Sequence, residues 1–487
     1  MRHSLKSNYI YNLLYQMLLI LLPFVTTPYV SRILNPRGIG AINYTSSVVS
    51  IVVLIAALGS GLYAQKEIAF AENSIERRSK VFWCVFWIRV AASALVLIPY
   101  AFLIYFSVDY RGLYSVQLIT ILSNMIDIVW LFQGMGDFKK TSIRSITVKL
   151  LSVAAVFIFV KNQDDLIIYA FINSISALVN ALIMWAYLPR AIQWTKVSWK
   201  EMKLHIKPIL VLFVPMVAIY VYTYVDKIVL RFFSTEEQVG FYSQAERIVK
   251  LSMTVITSLG NVMLPRIANL IKEKQWEKVN SDIRNAIHFV FFLGFPMAAG
   301  MSVIASLFVP WFFGAGYEQC VSLIQYLSVL IIIISLSSVT GQAALVPLNK
   351  QGTYTFSIIA GALTNVSLNI VLIPKYEAVG AVIGTLVAES VVEVIQWCAV
   401  FRSMKLRAAE VVKDNLKPFA GAGIMMILLI LIKPFFSETM ISTVLFGFIG
   451  IVVYFSMMCL LKDEFVQVIR RQVLGLLEGI KRKFFHS

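Results

Sequence analysis

Along this chain, apolar runs long enough to cross a bilayer alternate with short polar connections. A helix needs about 20 mostly apolar residues to span the hydrocarbon core. Runs of that kind centre on 10–30, 41–62, 81–106, 113–132, 145–160, 165–188, 208–232, 239–262, 285–312, 320–345, 354–373, 379–401, 418–432 and 440–461. They predict an all-α polytopic membrane protein with about fourteen transmembrane helices, the runs at 145–160 and 418–432 being the shortest. The opening "MRHSLKSNYI" leads into an apolar run too long for a signal peptide, so it reads as a retained first helix.

Composition agrees. Of 487 residues, 59% are hydrophobic and 14% charged, with a mean hydropathy of +0.78. Soluble domains average about a quarter charged, so a water-soluble fold is excluded. The net charge of +17 does not by itself point to nucleic acid, because basic loops are also a topology signal. Its placement is uneven: 31 Lys and Arg fall in alternate connections and the two ends, against 6 in the intervening ones. That bias orients the chain with both termini in the cytoplasm, and basic loops of this kind meet anionic headgroups. Membrane lipids are therefore the expected partner, and no nucleic acid is. The four cysteines are scattered, with no CxxC pair, so neither disulfide framework nor zinc site is expected. No GxxxxGK[ST] loop, HExxH or nucleophile elbow occurs. Outside connections are mostly under ten residues, too short to build the external site of a membrane glycosyltransferase or polymerase.

The chain also repeats itself. "YVSRILNPRGIGAINYTSSVV" follows the first run and "LRFFSTEEQVGFYSQAERIV" the seventh, with Gly40 and Gly240 offset by 200 residues. "FQGMGDFKKTS" similarly precedes "LVPLNKQGTYT" by about 210 residues. The repeat predicts two six-helix lobes in parallel orientation, related by a pseudo-twofold along the membrane normal. The expected domains are an N-terminal lobe at 1–190, a cytoplasmic linker at 191–207, a C-terminal lobe at 208–403, and two added helices with a basic cytoplasmic tail at 404–487.

The motifs "YVSRILNPRGIGAINYT", "LGSGLYAQKEIA", "DIVWLFQGMGDFKKTSIRSITVKLLSV", "DKIVL…VGFYSQAERIV…VMLPRIANL" and "NVSLNIVLIPKYEAVGAVIGTLVAESV" occur in this order along most of the chain. Together the sequence resembles the polysaccharide-transport flippases of the multidrug/oligosaccharidyl-lipid/polysaccharide exporter superfamily. The resemblance implies two lobes around a central cavity, alternating access, and an undecaprenyl-diphosphate-linked oligosaccharide as cargo, in a bacterial inner membrane. It implies capsule or O-antigen export, no resident cofactor, and a polysaccharide polymerase and glycosyltransferases as pathway partners. Two turns depart from the family pattern: "LNPRG" replaces a Gly-Pro-acidic turn and places Arg37 at the outer mouth, and Glu377 stands where a glycine is usual.

Charges inside the runs carry the candidate chemistry, because a charge in hydrocarbon must pair or line a wet cavity. A diphosphate cargo calls for guanidinium and ammonium donors. Arg247 and Lys250 share a helical face, as do Lys227 and Arg231, and with Arg89 and Arg32 they make up the expected diphosphate and sugar site. The rival for Lys250 is an i,i+4 pair with Glu246. Glu389 and Glu393, one turn apart on the twelfth run, are the candidates for coupling to a proton or sodium gradient or to the membrane potential, against a structural salt bridge. Asp127, Asp226 and Glu246 are expected to be structural or gate residues. The alternative within this fold is a cation-coupled multidrug exporter, which would favour an acidic cavity.

Overall fold

A computed structural model describes residues 5–71, 74–404, 407–463 and 465–467. The basic tail expected after 467 lies outside the described residues. Among the described residues twelve helices are long and apolar enough to cross a membrane. Fourteen runs were expected, and the difference has one cause: α1 (Leu5–Ala57) holds the first two runs and α13 (Gln351–Ser403) the eleventh and twelfth.

Each of these 53-residue helices would be about 80 Å long if straight, more than twice the hydrocarbon thickness. Neither is straight. Asn35 (φ 56°, ψ 170°) interrupts α1 and Glu377 (φ 49°, ψ −127°) interrupts α13. Around Glu377 the chain folds back sharply: a Cβ on Gly380 would lie 2.5 Å from the Leu372 carbonyl oxygen, where eight residues of helix would separate them by about 12 Å. Around Asn35 the contacts show a reversal too. The Tyr29 hydroxyl donates to Val160 O (2.7 Å) at the end of α6 (Phe138–Phe159), and the Tyr44 ring lies 5.2 Å from Tyr110, just before α4 (Arg111–Ile126). Ala56 O, further on, accepts from Ser93 in the middle of α3 (Ile75–Phe106). Chain on both sides of Asn35 therefore runs away from one end.

Both turns hold a side-chain-bearing residue at positive φ. Positive φ costs a side-chain-bearing residue energy, which is why glycine is usual in such turns. Asparagine is among the more tolerant substitutes and glutamate is not.

The chain divides into two compact units, residues 1–243 with 366–381, and residues 244–365 with 382–487. The first unit is cored near one end by Phe82, Phe86, Trp130, Leu131, Met184 and Ile209. Side chains close its helix starts: Ser74 caps α3, Asp137 caps α6, and Ser198 with Glu201 forms a capping box on α8 (Trp199–Phe233). Such caps supply acceptors for orphan N–H groups, worth typically about 1 kcal/mol each.

In the second unit, α10 (Trp276–Phe313) packs against α14 (Ala408–Ile432) and α15 (Met440–Leu460) through Phe292, Met425, Phe446 and Met458. Tyr454 OH donates to Phe292 O (2.7 Å), and buried His288 meets Asn415 (2.9 Å) and Asp463 (3.4 Å). Residues 338–345 form a π-helix that continues α12 (Leu330–Ser337).

Candidate functional site

Two repeat-related tips meet in the first unit. The first surrounds Asn35; the second is the Ser234 turn between α8 and α9 (Glu236–Lys272). A Cβ on Gly40 would lie 1.6 Å from Glu236 O, and one on Gly240 would lie 2.2 Å from Pro36 O. Residue 40 thus faces 236 as 240 faces 36, which is the reciprocity a twofold relation demands. No side chain fits between the two backbones. The sequence singled out Gly40 and Gly240 as a repeat; that they touch is new.

Charged groups surround this contact. Glu236, with its side chain only 14% exposed, accepts from Arg37 Nε (2.9 Å) and from Tyr110 OH (2.6 Å), and lies 3.6 Å from Arg231 Nη2. Arg231 also donates to the Tyr110 hydroxyl and to Ser234 O (3.3 Å), and its guanidinium stacks over the Tyr110 ring at 5.5 Å. The second tip is tied in turn to the Glu377 turn: Ser234 Oγ donates to Glu377 (3.0 Å), and Ala378 N donates to Gln238 Oε1 (3.4 Å). Of the expected site residues, Arg231 is the one placed in this cluster. Glu236 and Tyr110 were missed. A signal existed for Glu236, since it sits 200 residues after Pro36 on an acidic tip opposite a basic one.

Of the other expected residues of the first unit, Arg32 stands on the first tip, three residues before Asn35, and is exposed. Asp226 is buried and accepts from Tyr242 OH (2.7 Å) and Asn369 Nδ2 (2.6 Å); these donors offset the loss of water around a carboxylate. Lys227, also buried, donates to Thr223 O (3.4 Å) with Nζ 5.8 Å from the Tyr242 ring. Arg89 is 4% exposed, and its Nε has no hydrogen-bond acceptor among the described residues. Asp127 Oδ1 accepts from Val129 N, at the break between α4 and the short α5 (Val129–Gly134).

In the second unit Lys250 pairs with Glu246 at 2.6 Å, the pairing the i,i+4 spacing allows, while Arg247 is exposed. Glu389 and Glu393 are both buried. Thr340 Oγ1 donates towards Glu393 (3.2 Å) and Gln396 (2.9 Å), and Gln396 Nε2 donates to Ser357 (3.0 Å). Thr340 lies in the π-helix, a distortion often found at functional sites. Gly341 lets it pack, as a Cβ there would come 2.6 Å from the Tyr354 ring. Among the described residues no group of three His, Cys, Asp or Glu side chains could hold a metal ion.

Comparison with known proteins fits this architecture. The chain is 26% identical over 395 residues to the "Putative O-antigen transporter" of Escherichia coli K12, covering 80% of this chain and 95% of that protein. Its fold matches the lipid II flippase MurJ in an inward closed conformation, with a TM-score of 0.67 at 16% identity, over 91% of this chain and 100% of that one. It also matches an inward-facing MATE-family multidrug transporter, with a TM-score of 0.62 at 17% identity, over 79% and 95%. The model of the polysaccharide biosynthesis protein family matches residues 5–271, more than half of the sequence, and the chain belongs to that family.

Proposed function

We propose that this protein is a flippase that moves undecaprenyl-diphosphate-linked oligosaccharide repeat units from the cytoplasmic to the outer leaflet of a bacterial inner membrane, for surface polysaccharide export. It works as a transporter rather than as an enzyme. The observation that carries the reading is the correspondence with the E. coli protein named as an O-antigen transporter, over nearly its whole length. The MurJ-like fold supports it. The hairpins at Asn35 and Glu377 and the loop charge bias support a reading with fourteen crossings and both termini inside.

Alternating access is the mechanism we propose for the two lobes, 1–190 and 208–403. The tips at Asn35 and Ser234 act as the outer seal. Glycine backbones close it sterically, and Glu236 draws Arg37, Tyr110 and Arg231 onto it. When the seal opens, Arg231 exchanges the Glu236 carboxylate for the oxygens of the cargo diphosphate, a match for its planar fork. Arg247, which has no carboxylate partner among the described residues, is the cargo contact we propose in the second unit; Arg32, Arg89, Lys227 and Lys250 complete the set. Glu389 and Glu393 couple transport to a cation gradient, with Thr340 polarising the Glu393 carboxyl.

The test is export in cells together with flipping of a lipid-linked saccharide in proteoliposomes. Arg231→Ala and Arg247→Ala are expected to abolish both at normal expression, and unchanged flipping in either variant removes that arginine from the cargo path. Glu393→Gln is expected to remove the dependence on a proton or sodium gradient. The second reading is a drug exporter, favoured by the MATE-like fold. Efflux of amphipathic cations with no saccharide flipping would establish it instead.

A further inference from the structure

Beside the outer seal is a cavity of about 420 Å³, lined entirely by residues of the first unit. It lies within the roughly 300–1,000 Å³ range of small-ligand clefts. The flippase reading does not use it. It opens next to Arg37 and Glu236, between the Asn35 turn, the chain entering α4, and the short 3₁₀ turn Gln163–Asp165 before α7 (Leu166–Trp185).

Its lining has two kinds of surface. Leu34, Leu113 and Leu166 form an apolar floor. Asn35, Asp109 and Gln163 stand over it, and no hydrogen bond among the described residues engages any of their side chains. Of their polar neighbours, the Tyr110 hydroxyl and Arg37 Nε both donate to Glu236. Two amides and one carboxylate offer both donors and acceptors at the rim of an apolar patch. Gly38 and Gly112 keep its wall low, and a Cβ on Gly112 would already press to 2.9 Å from Ile167 Cδ1.

We propose that this cavity binds one neutral pyranose. A sugar ring has the matching two-sided chemistry. Its hydroxyls donate to the Asp109 carboxylate and exchange hydrogen bonds with the Asn35 and Gln163 amides, while its C–H face rests on the leucines. Asp109 and Glu236 disfavour an anionic sugar, since its carboxylate would face two like charges in the lining. Two carboxylates, Asp109 and Glu236, stand here against the single guanidinium of Arg37, which Glu236 already holds, so the cavity takes the saccharide part of a cargo rather than its diphosphate. The proposal rests on the flippase reading for its biological role, as a release-side resting place for a sugar of the repeat unit. The binding itself stands on the cavity alone.

Saturation-transfer NMR on the full chain in nanodiscs tests it, with the methyl glycosides of glucose, galactose, mannose and N-acetylglucosamine as probes and methyl glucuronide as the anionic control. At least one neutral glycoside is expected to receive saturation from the wild type, more strongly than the glucuronide. Asp109→Ala and Gln163→Ala, both at exposed positions, are each expected to weaken binding about fivefold, the loss for a hydrogen bond worth about 1 kcal/mol. No transfer to any neutral probe, a stronger signal from the glucuronide, or equal binding by the two variants would overturn the proposal. Export in cells separates it from the wider reading. Normal export with no sugar binding removes the cavity alone, whereas sugar binding without lipid-linked flipping removes the flippase reading and leaves the cavity standing.

Discussion

The two tips that meet in the first unit descend from one repeat yet are built differently. The first reverses the chain at Asn35, a single residue with positive φ inside an otherwise continuous helix, and is basic, with Arg32 and Arg37. The second reverses through an extended Ser234 and a fresh helix start, needs no positive φ, and is acidic, with Glu236 and Glu237. The shared element is the glycine at the same register, Gly40 and Gly240. A twofold contact between identical basic tips would repel. Divergence in charge makes the pair complementary, while the glycines preserve the close approach. Symmetry is thus held where backbone sterics require it and dropped where electrostatics forbid it.

The largest effect should come from the shared element. Gly40→Val and Gly240→Val each put atoms where a carbonyl oxygen already stands, so either should hold the tips apart and abolish surface glycan at normal membrane insertion. Overpacking commonly costs about 1–3 kcal/mol, and with backbone on the other side these should lie at or above the upper limit, read as a lower thermal midpoint. Failure of Gly40→Val alone would break the proposed equivalence of the tips.

Next is the divergent charge. Glu236→Gln leaves Tyr110 and two guanidiniums without a charged acceptor, and a loss of about 1–3 kcal/mol is expected. Arg37 is 74% exposed, so Arg37→Gln should matter far less. Exchanging the pair as Arg37→Glu with Glu236→Arg should recover only part of the loss, because Arg231 then faces a cation. Full recovery in thermal unfolding would show that Arg231 takes no part.

Tyr242→Phe sharpens the contrast between seal and interior. It removes one donor to buried Asp226 and should cost about 1–2 kcal/mol with no change in the opening of the tips. Parallel loss of tip closure, followed by cross-linking of cysteines placed on the two turns, would couple the two regions. The smallest effect is expected from Glu377→Gly. It relieves a positive φ worth about 1–3 kcal/mol but gives up the exposed bond from Ser234, so a rise in midpoint of a few degrees at most is expected. A clear fall would mean that the Ser234 bond outweighs the strain.

Much of this was legible in the sequence because a bilayer imposes its pattern on a chain. The apolar runs of the sequence are helical through most of their length, although the run at 113–132 is broken between α4 and α5, and the turns at Asn35 and Glu377 lie where polar residues interrupt the pattern. Their missing loops were not legible, since one residue with an unusual φ leaves no hydropathic trace. The charged candidates fared unevenly for a physical reason. Spacing along one helix finds Glu246 with Lys250, a local pair. It cannot find Glu236 with Arg37, separated by 199 residues, nor the π-helix that brings Thr340 to Glu393.

By itself, then, the sequence determined the solvent of this protein, its helices, its internal repeat and, by loop charge, its expected orientation, because each of these depends on the local balance between hydrocarbon and water. Only the tertiary structure decided which charges meet. The partners of a buried or half-buried ion are chosen by distance in space and by the high cost of leaving it unpaired, and neither is written along the chain.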